Sequence, residues 1–139
     1  MSEKVKPAEQ SVEDVMHRGV VSCKAAVPVK EVVRTTSDTG VQAVVIVDDN
    51  GLLAGIVSQM DLIRLYGHNL LDCKAGDVMT RHVISISPTA TLGEAVALML
   101  QHNVRRVVVV EKTPAGDRPI GVLSTADVIR EMREQPWFW

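Results

Sequence analysis

The sequence contains few aromatic residues and few cysteines. Among its 139 residues, aromatic side chains occur only at Tyr66 and at positions 137–139, so a buried core has to be aliphatic. The two cysteines, Cys23 and Cys73, lie far apart, and neither has a second cysteine or a group of histidines nearby. This isolation is typical of unpaired thiols rather than of a disulfide or a metal site.

The chain also lacks a long hydrophobic run, and neither acidic nor basic residues are in large excess. Its longest apolar run has six residues, Ala95–Leu100, whereas a membrane-spanning helix needs about 20. The N-terminus is charged and has no apolar segment typical of a secretory signal, so we expect a cytoplasmic protein. With 15 basic and 17 acidic residues, the net charge of −2 argues against nucleic-acid binding, which requires a basic surface.

Valine is the abundant residue, with 24 copies. β-Branched side chains favour strands because they pack well on a pleated surface. A chain of this length buries roughly two-thirds of its surface on folding, which is enough for a core without metals or disulfides. The composition therefore indicates a strand-containing globular domain rather than an all-helical bundle.

The sequence contains an internal repeat. Residues 14–22 return as 77–85, an offset of 63, and 12 of the 34 aligned positions that begin at residue 14 are identical. After a three-residue insertion in a turn the offset becomes 66, and five of the ten residues in 55–64 recur in 121–130. The chain is therefore a tandem duplication of a unit of about 55 residues.

Each repeat predicts the same order of elements: a short helix, a strand, a helix, two strands joined by a turn, and a final helix. Ser11 and Thr91 have the spacing of helix caps, and Pro28 suits the first turn of a helix. The apolar run at 44–47, like its counterpart, is typical of a buried strand, and 48–51 has the composition of a hairpin turn. Each repeat is thus a small α+β layer, and two such layers make one core.

The pattern Gly-x-x-Ser-x-x-Asp occurs once in each repeat, at 55–61 and 121–127. In one interpretation the serines cap helices, and the aspartates complement the positive end of the helix dipole. In the other, the hydroxyl and the first N–H groups bind an anion while the carboxylate accepts hydrogen bonds from sugar hydroxyls. The two interpretations are compatible, because a cap can also face a ligand. The glycines would allow close approach of a backbone or a ligand.

The duplicated order resembles a pair of CBS domains, the cystathionine β-synthase repeat, which together are known as a Bateman module. The resemblance rests on Asp-Val-Met at 14–16 and 77–79, the valine-rich strands, and the Ser-x-x-Asp pattern ahead of a helix, and it covers residues 12–133. It implies an α+β fold of two repeats, each β-α-β-β-α, packed through their sheets as a pseudo-two-fold pair. It also implies two clefts, each lined by both repeats.

The expected organisation has five parts. They are a flexible N-terminal segment at 1–10, a first CBS repeat at 11–67, a linker at 68–74, a second CBS repeat at 75–134 and an aromatic tail at 135–139. The tail has no counterpart in the first repeat. Because large rings are costly to leave in water, we expect it to dock on the module or across a dimer interface; the alternative is a partner-binding peptide.

The resemblance also implies which residues bind a ligand. The clefts of the family bind adenosine-containing nucleotides; the aspartate of the pattern holds the ribose, and the serine contacts phosphate. The matching ribose residues are Asp61 and Asp127, and the matching phosphate residues are Ser58 and Ser124. The adenine pocket corresponds to aliphatic residues of the first and second strands, namely Val20, Val21, Val41, Val83, Ile84 and Val104.

The repeats differ in charge where the second strand begins. The second repeat has His102, Arg105 and Arg106 there, whereas the aligned segment 39–43 has no basic residue. Because guanidinium groups pair with phosphate, we expect these three residues to extend a phosphate site. Strand alternation allows only one of the two arginines to face it, and the other is then a solvated surface charge. The cleft that they reach should bind ligand more tightly than its twin.

The sequence shows no pattern for catalysis. No Ser-His-Asp order, P-loop, HExxH or CxxC string is present. His17, His68 and His82 have no partner at metal-ligand spacing, so we expect surface or hydrogen-bonded histidines. The sequence therefore predicts neither an enzyme, nor a catalytic cofactor, nor a metal site.

The predicted function is a stand-alone regulatory sensor in signal transduction. It binds AMP, ADP, ATP, NAD or S-adenosylmethionine in the clefts between the repeats, and the bound state changes its contact with a separate effector protein. The alternative is a dimerising adaptor whose clefts are empty or occupied incidentally. Because family members pair two modules into a disk, we expect a homodimer of four repeats.

Overall fold

The structure, a computed structural model, describes residues 10–134. In chain order its elements are α1 (Val12–Val15), β1 (His17–Arg18), β2 (Ser22–Lys24), α2 (Val29–Thr39), β3 (Ala43–Val47), β4 (Leu53–Ser58), α3 (Gln59–Ile63), α4 (Ala75–Val78), β5 (Ser85–Ile86), α5 (Leu92–His102), β6 (Arg106–Thr113), β7 (Gly116–Ser124) and α6 (Thr125–Glu134). This mixture confirms the predicted α+β class. The predictions for the aromatic tail, and for the N-terminal segment before residue 10, lie outside the described residues.

The chain forms two compact units whose boundaries differ from those of the repeats. One unit contains residues 10–18, Ile84–Glu111 and residues 120–134. The other contains Gly19–Val83 and Lys112–Pro119. The short helix that opens each repeat, α1 or α4, therefore belongs to the unit built mainly from the other repeat.

The unit built mainly from the first repeat contains a three-stranded sheet in the order β2-β3-β4. β2 pairs with β3 in parallel, and β3 pairs with β4 antiparallel, with Val44 opposite Val57. α2 and α4 cover the sheet, and Ala75 of α4 is fully buried. Its core consists of aliphatic residues: Val32, Val44, Ile46, Val57 and Ala75.

The other unit contains a sheet in the order β1-β7-β6-β5. β1 pairs antiparallel with β7, so that His17 lies opposite Val122 and Arg18 opposite Gly121. α1, α5 and α6 contact one another, and Val12 of α1 is fully buried. The core of this unit is again aliphatic: Val12, Met16, Ile86, Ala95, Met99, Val107, Val109 and Leu123.

The helix ends follow from the sequence signals at equivalent positions of the two repeats. α2 begins after Pro28 and ends at Gly40, which has a φ of 70°. α5 begins after Thr91, whose hydroxyl accepts the N–H of Glu94, and ends at Asn103, which has a φ of 52°. Glycine and asparagine are the residues that adopt this left-handed conformation most readily. The predicted starts of both helices are confirmed.

Two smaller predictions have different outcomes. The hairpin turn after β3 is confirmed, because the Asp48 carboxylate accepts the N–H groups of Asn50 and Leu52 at 2.8 and 3.0 Å. Ser11 precedes α1 as predicted, but its hydroxyl donates to the Asp14 carboxylate at 2.8 Å instead of accepting an N–H group. Within residues 10–134, no helix has the length and apolar character needed to cross a membrane.

Candidate functional site

In the unit built mainly from the first repeat, the Ser-x-x-Asp pattern joins β4 to α3. Ser58 caps α3: its hydroxyl accepts the N–H of Asp61 at 3.2 Å. The Asp61 carboxylate accepts the N–H and the hydroxyl of Ser58 at 2.8 and 3.0 Å on Oδ2, and the Arg64 guanidinium at 3.2 Å on Oδ1. The Asp61 side chain is 14% exposed. The capping interpretation of this pattern is therefore confirmed, and the carboxylate still reaches solvent.

The second copy of the pattern has nearly the same geometry. The Asp127 carboxylate accepts the N–H and the hydroxyl of Ser124 at 2.8 and 3.0 Å on Oδ2, and Arg130 at 3.2 Å on Oδ1. The N–H of Asp127 donates to the Ser124 hydroxyl at 3.3 Å. The side chain of Asp127, however, is only 1% exposed.

The difference between the two carboxylates is a contact with His17. Nδ1 of His17 lies 3.0 Å from Oδ1 of Asp127, although the imidazole itself is 69% exposed. The prediction of a surface histidine is therefore right about exposure, but the sequence did not reveal this carboxylate partner. The only sequence signal of this contact was a difference between the repeats. Their alignment pairs His17 with Thr80, whose side chain has no nitrogen donor.

The surroundings of Asp127 favour its ionised form. Burial raises the pKa of this carboxyl, but the hydrogen bonds from Ser124, the charge of His17 and the hydrogen bond from Arg130 together outweigh burial. The pKa of Asp127 therefore lies below its ordinary value of 3.8. A carboxylate held in this way is a permanent acceptor at neutral pH.

The glycine that opens each pattern allows another backbone segment to approach closely. A Cβ atom on Gly121 would lie 2.6 Å from the carbonyl oxygen of His17 and 2.7 Å from Sδ of Met16. A Cβ atom on Gly55 would lie 2.6 Å from Sδ of Met79 and 2.9 Å from the carbonyl oxygen of Thr80. The Asp-Val-Met segments therefore cross directly over the glycines, which explains why the two patterns occur together in each repeat.

The basic residues of the second repeat occupy the end of α5 and the start of β6. His102 and Arg105 are exposed, and Arg106 is half-buried. The carbonyl of Arg105 accepts the N–H of Thr125, the first residue of α6, at 2.8 Å. Arg106 is the first residue of β6, whereas Arg105 lies in the bend before this strand. Their predicted contact with phosphate stays a prediction.

The six residues predicted to hold adenine are all half-buried. Four of them, Val20, Val21, Val41 and Val83, belong to the unit built mainly from the first repeat, and Ile84 and Val104 belong to the other unit. A nearby cavity beside Cys23 has a volume of about 20 Å³, which is room for one water molecule and far too little for a purine ring. Burial raises the pKa of the Cys23 thiol, and Cys23 and Cys73 are both free.

Comparison with protein families gives two matches along the chain. The CBS domain family profile matches residues 12–68 and, a second time, residues 75–134. These ranges correspond to the two repeats of the sequence.

Two curated proteins with similar sequences are larger than this chain. The γ-3 subunit of the 5′-AMP-activated protein kinase of Sus scrofa is 29% identical over 108 residues, which is 71% of the chain and 20% of that subunit. The arabinose 5-phosphate isomerase of Pseudomonas aeruginosa is 30% identical over 123 residues, which is 86% of the chain and 37% of the isomerase. The chain thus spans well under half the length of these relatives.

Two solved structures have the same fold over nearly the whole chain. A CBS domain pair in complex with 5′-methylthioadenosine and S-adenosyl-L-methionine has a TM-score of 0.80 at 20% identity, covering 91% of this chain and 98% of that one. CBSX2 in complex with AMP has a TM-score of 0.75 at 27% identity, covering 89% of this chain and 96% of that one. These likenesses confirm the predicted fold.

Proposed function

Since the chain belongs to the CBS domain family, we propose that it is a non-catalytic regulatory module that binds adenosine-containing nucleotides. Its two Ser-x-x-Asp sites hold the ligand, and the bound state is signalled to a partner protein. AMP, ADP, ATP and NAD are the proposed ligands. S-adenosylmethionine is a weaker candidate, because it lacks the phosphate that Ser58, Ser124 and a basic side chain such as Arg105 would contact.

The carboxylate of Asp61 is the observation that carries this proposal. An ionised carboxylate offers about four acceptor positions, and three are taken by the two donors of Ser58 and by Arg64. Within residues 10–134 no fourth donor contacts it, and its side chain is partly exposed. One acceptor position on Oδ1 is therefore available for a ribose hydroxyl.

The ligand class is supported by a relative as well as by the chemistry of the site. CBSX2, at 27% identity and over 89% of the chain, was solved in complex with AMP. A ribose diol needs an acceptor, and a phosphate needs hydroxyl, N–H or cationic donors. The Ser-x-x-Asp pattern supplies both kinds of group within one turn of chain. The adenine ring would rest on aliphatic and backbone groups, because the only aromatic side chain of the described residues, Tyr66, is 91% exposed.

Thermal unfolding in the presence of a nucleotide panel tests the proposal. A ligand that binds only the folded state raises the midpoint, so AMP, ADP, ATP or NAD at a hundred times its Kd should raise Tm by about 10 °C. The variant with both Asp61→Asn and Asp127→Asn should lose this shift. Asp38→Asn, at an exposed position of α2, is the matched control and should keep it. The absence of a shift with every adenosyl compound at millimolar concentration would contradict the proposal.

A dimerising adaptor is the second candidate function. It is favoured by exposed aliphatic side chains on the last helix of each repeat: Met60 at 55%, Ile63 at 63%, Ile129 at 64% and Met132 at 39% exposure. A second copy of the chain covering these residues would form the homodimer that we also propose for the sensor. The thermal-shift panel separates the two functions, because an adaptor with empty sites does not respond to nucleotide.

A further inference from the structure

We infer that His17 closes the Asp127 site to ribose, so that the two Ser-x-x-Asp sites of this chain differ in affinity and Asp61 belongs to the open one. This inference rests on the proposed function, because it names the residue that controls ligand access to one of its two sites. His17 is a specificity-determining residue in this role.

The Ser-x-x-Asp pattern itself has the same geometry in the two sites. The distances from Ser58 to Asp61 and from Ser124 to Asp127 are 2.8 and 3.0 Å in both repeats. The arginine three residues after each aspartate donates at 3.2 Å in both. A difference in affinity for ribose therefore has to come from outside the pattern itself.

All four acceptor positions of the Asp127 carboxylate are filled. Ser124 fills two positions on Oδ2 of Asp127, and Arg130 fills one on Oδ1. Nδ1 of His17, 3.0 Å from Oδ1, fills the fourth. Because a carboxylate offers about four such positions, Asp127 has none left for a ribose hydroxyl. The 1% exposure of its side chain agrees with this count.

The two sites differ at one residue position, which is occupied by His17 in one unit and by Thr80 in the other. His17 sits opposite Val122 in the antiparallel pair of β1 and β7. Thr80 occupies the equivalent place in the other unit: it pairs with Ile56, and its N–H and carbonyl exchange hydrogen bonds with that residue at 2.8 and 3.0 Å. The backbone arrangement is the same, so the side chain at this position decides whether the carboxylate is occupied.

It follows that a ribose and His17 compete for Asp127. The imidazole is 69% exposed, so it can rotate into solvent without disturbing the buried core. Binding at this site therefore requires the loss of a contact between His17 and the carboxylate, and no contact of this kind is found at the Asp61 site within residues 10–134. The Asp127 site should fill only at higher nucleotide concentration.

Isothermal titration calorimetry with AMP tests the inference one site at a time. Asp61→Asn isolates the Asp127 site, and adding His17→Thr to it installs the residue found at the equivalent position. Because the imidazole is 69% exposed, its contact with Asp127 is worth only about 1 kcal/mol, and this change should tighten AMP binding by about fivefold. In the mirror pair, Asp127→Asn isolates the Asp61 site, and adding Thr80→His should weaken binding by about fivefold.

The outcomes separate the inference from the proposed function. If AMP binds but neither His17→Thr nor Thr80→His changes its affinity, the inference is wrong and the proposed function stands. If neither the wild-type protein nor any variant binds AMP, ADP, ATP or NAD, the proposed function is wrong and the inference falls with it. A double-mutant cycle on His17 and Asp127 in urea unfolding, without ligand, must show a coupling energy; a value of zero would also overturn the inference.

Discussion

Asp127 is a buried charge whose ionised form is held by four hydrogen-bond donors. Its partners are the N–H and hydroxyl of Ser124, Arg130 and His17. A buried carboxylate without partners would be strongly destabilising, whereas a fully hydrogen-bonded one stabilises the fold only in its ionised state. At the residue scale, therefore, Asp127 links the stability of this unit to pH.

Replacing Asp127 by asparagine should lower the free energy of unfolding at pH 7 by about 2 kcal/mol, since charged hydrogen bonds are lost in a buried place. The pKa of Asp127 is lowered in the folded protein. Its contribution is therefore complete above the ordinary pKa of 3.8 and disappears as the pH falls through the lower folded value. Urea unfolding at several pH values should show wild type and Asp127→Asn converging only below that ordinary pKa.

Asp38→Asn serves as the control for this pH series. Asp38 is exposed on α2, so its replacement should change the free energy of unfolding by less than about 0.5 kcal/mol. A difference between wild type and Asp127→Asn that stays constant from pH 7 to pH 3 would contradict the assigned role of the ionised carboxylate.

At the element scale, the strand-to-helix junctions β4–α3 and β7–α6 share three local structural features. A glycine admits the crossing Asp-Val-Met segment, a serine caps the helix, and an aspartate bonds back to that serine. The sequence predicted the serine cap and an aspartate that complements the helix dipole, because these positions lie only three residues apart, and the structure adds the hydrogen bond from the serine N–H to that aspartate. It offered two interpretations of the glycine, a ligand or a backbone approach, and the structure shows that a backbone segment fills this place.

Gly121→Ala should destabilise the protein by about 2 kcal/mol. The added Cβ would lie 2.6 Å from the carbonyl oxygen of His17, and a backbone atom held in the β1–β7 pair has little freedom to move. Gly93→Ala is the matched control: it lies in α5, and its added Cβ would meet only Oγ1 of Thr91 at 3.8 Å. This control should be stabilising by up to about 1 kcal/mol.

Thermal and urea unfolding of the two variants provide the comparison. Equal stability of Gly121→Ala and wild type would show that the crossing segment is not held against the glycine in solution. A loss of stability in Gly93→Ala as large as that in Gly121→Ala would show that the effect is not specific to the crossing.

At the scale of the whole molecule, the duplicated chain does not fold as two consecutive units. α1 contributes Val12 to the core that contains β6 and β7, and Met16, the residue after this helix, also belongs to that core. α4 contributes Ala75 to the core that contains β3 and β4. Because of this exchange, the core of each unit includes a segment from the other repeat. Neither repeat therefore contains all the residues of one core.

The proposed homodimer should dissociate when a charge is placed on the exposed face of α6. Ile129 is 64% exposed, and burying such a side chain between two copies stabilises the dimer by about 2 kcal/mol, whereas a buried carboxylate opposes it. Light scattering after size exclusion should show wild type at twice the chain mass of 15.2 kDa and Ile129→Glu at the chain mass itself.

Leu100→Glu is the control for this experiment, since Leu100 is an equally exposed aliphatic residue, at 78%, on α5. It should remain dimeric. A wild-type protein that runs as a monomer would contradict the homodimer, and dissociation by Leu100→Glu alone would move the interface away from α6.

The sequence by itself determined the duplication, the order of the elements apart from the short strand β1, and the helix caps at Ser58 and Thr91. These features depend on contacts between near neighbours, as at Thr91 with Glu94 or Ser58 with Asp61, and on apolar runs whose burial follows from their composition. They could be read without coordinates, because their physical causes span a few residues.

Only the tertiary structure decided that α1 and α4 each pack in the unit built mainly from the other repeat, and that His17 contacts Asp127. These two residues are separated by more than a hundred positions in the chain, and no periodicity or cap connects them. Their contact exists because β1 pairs with β7 and the Asp-Val-Met segment crosses Gly121. Long-range pairing depends on the path of the whole chain. Two Ser-x-x-Asp sites with the same local pattern can therefore differ, and here His17 contacts the carboxylate of only one of them, Asp127.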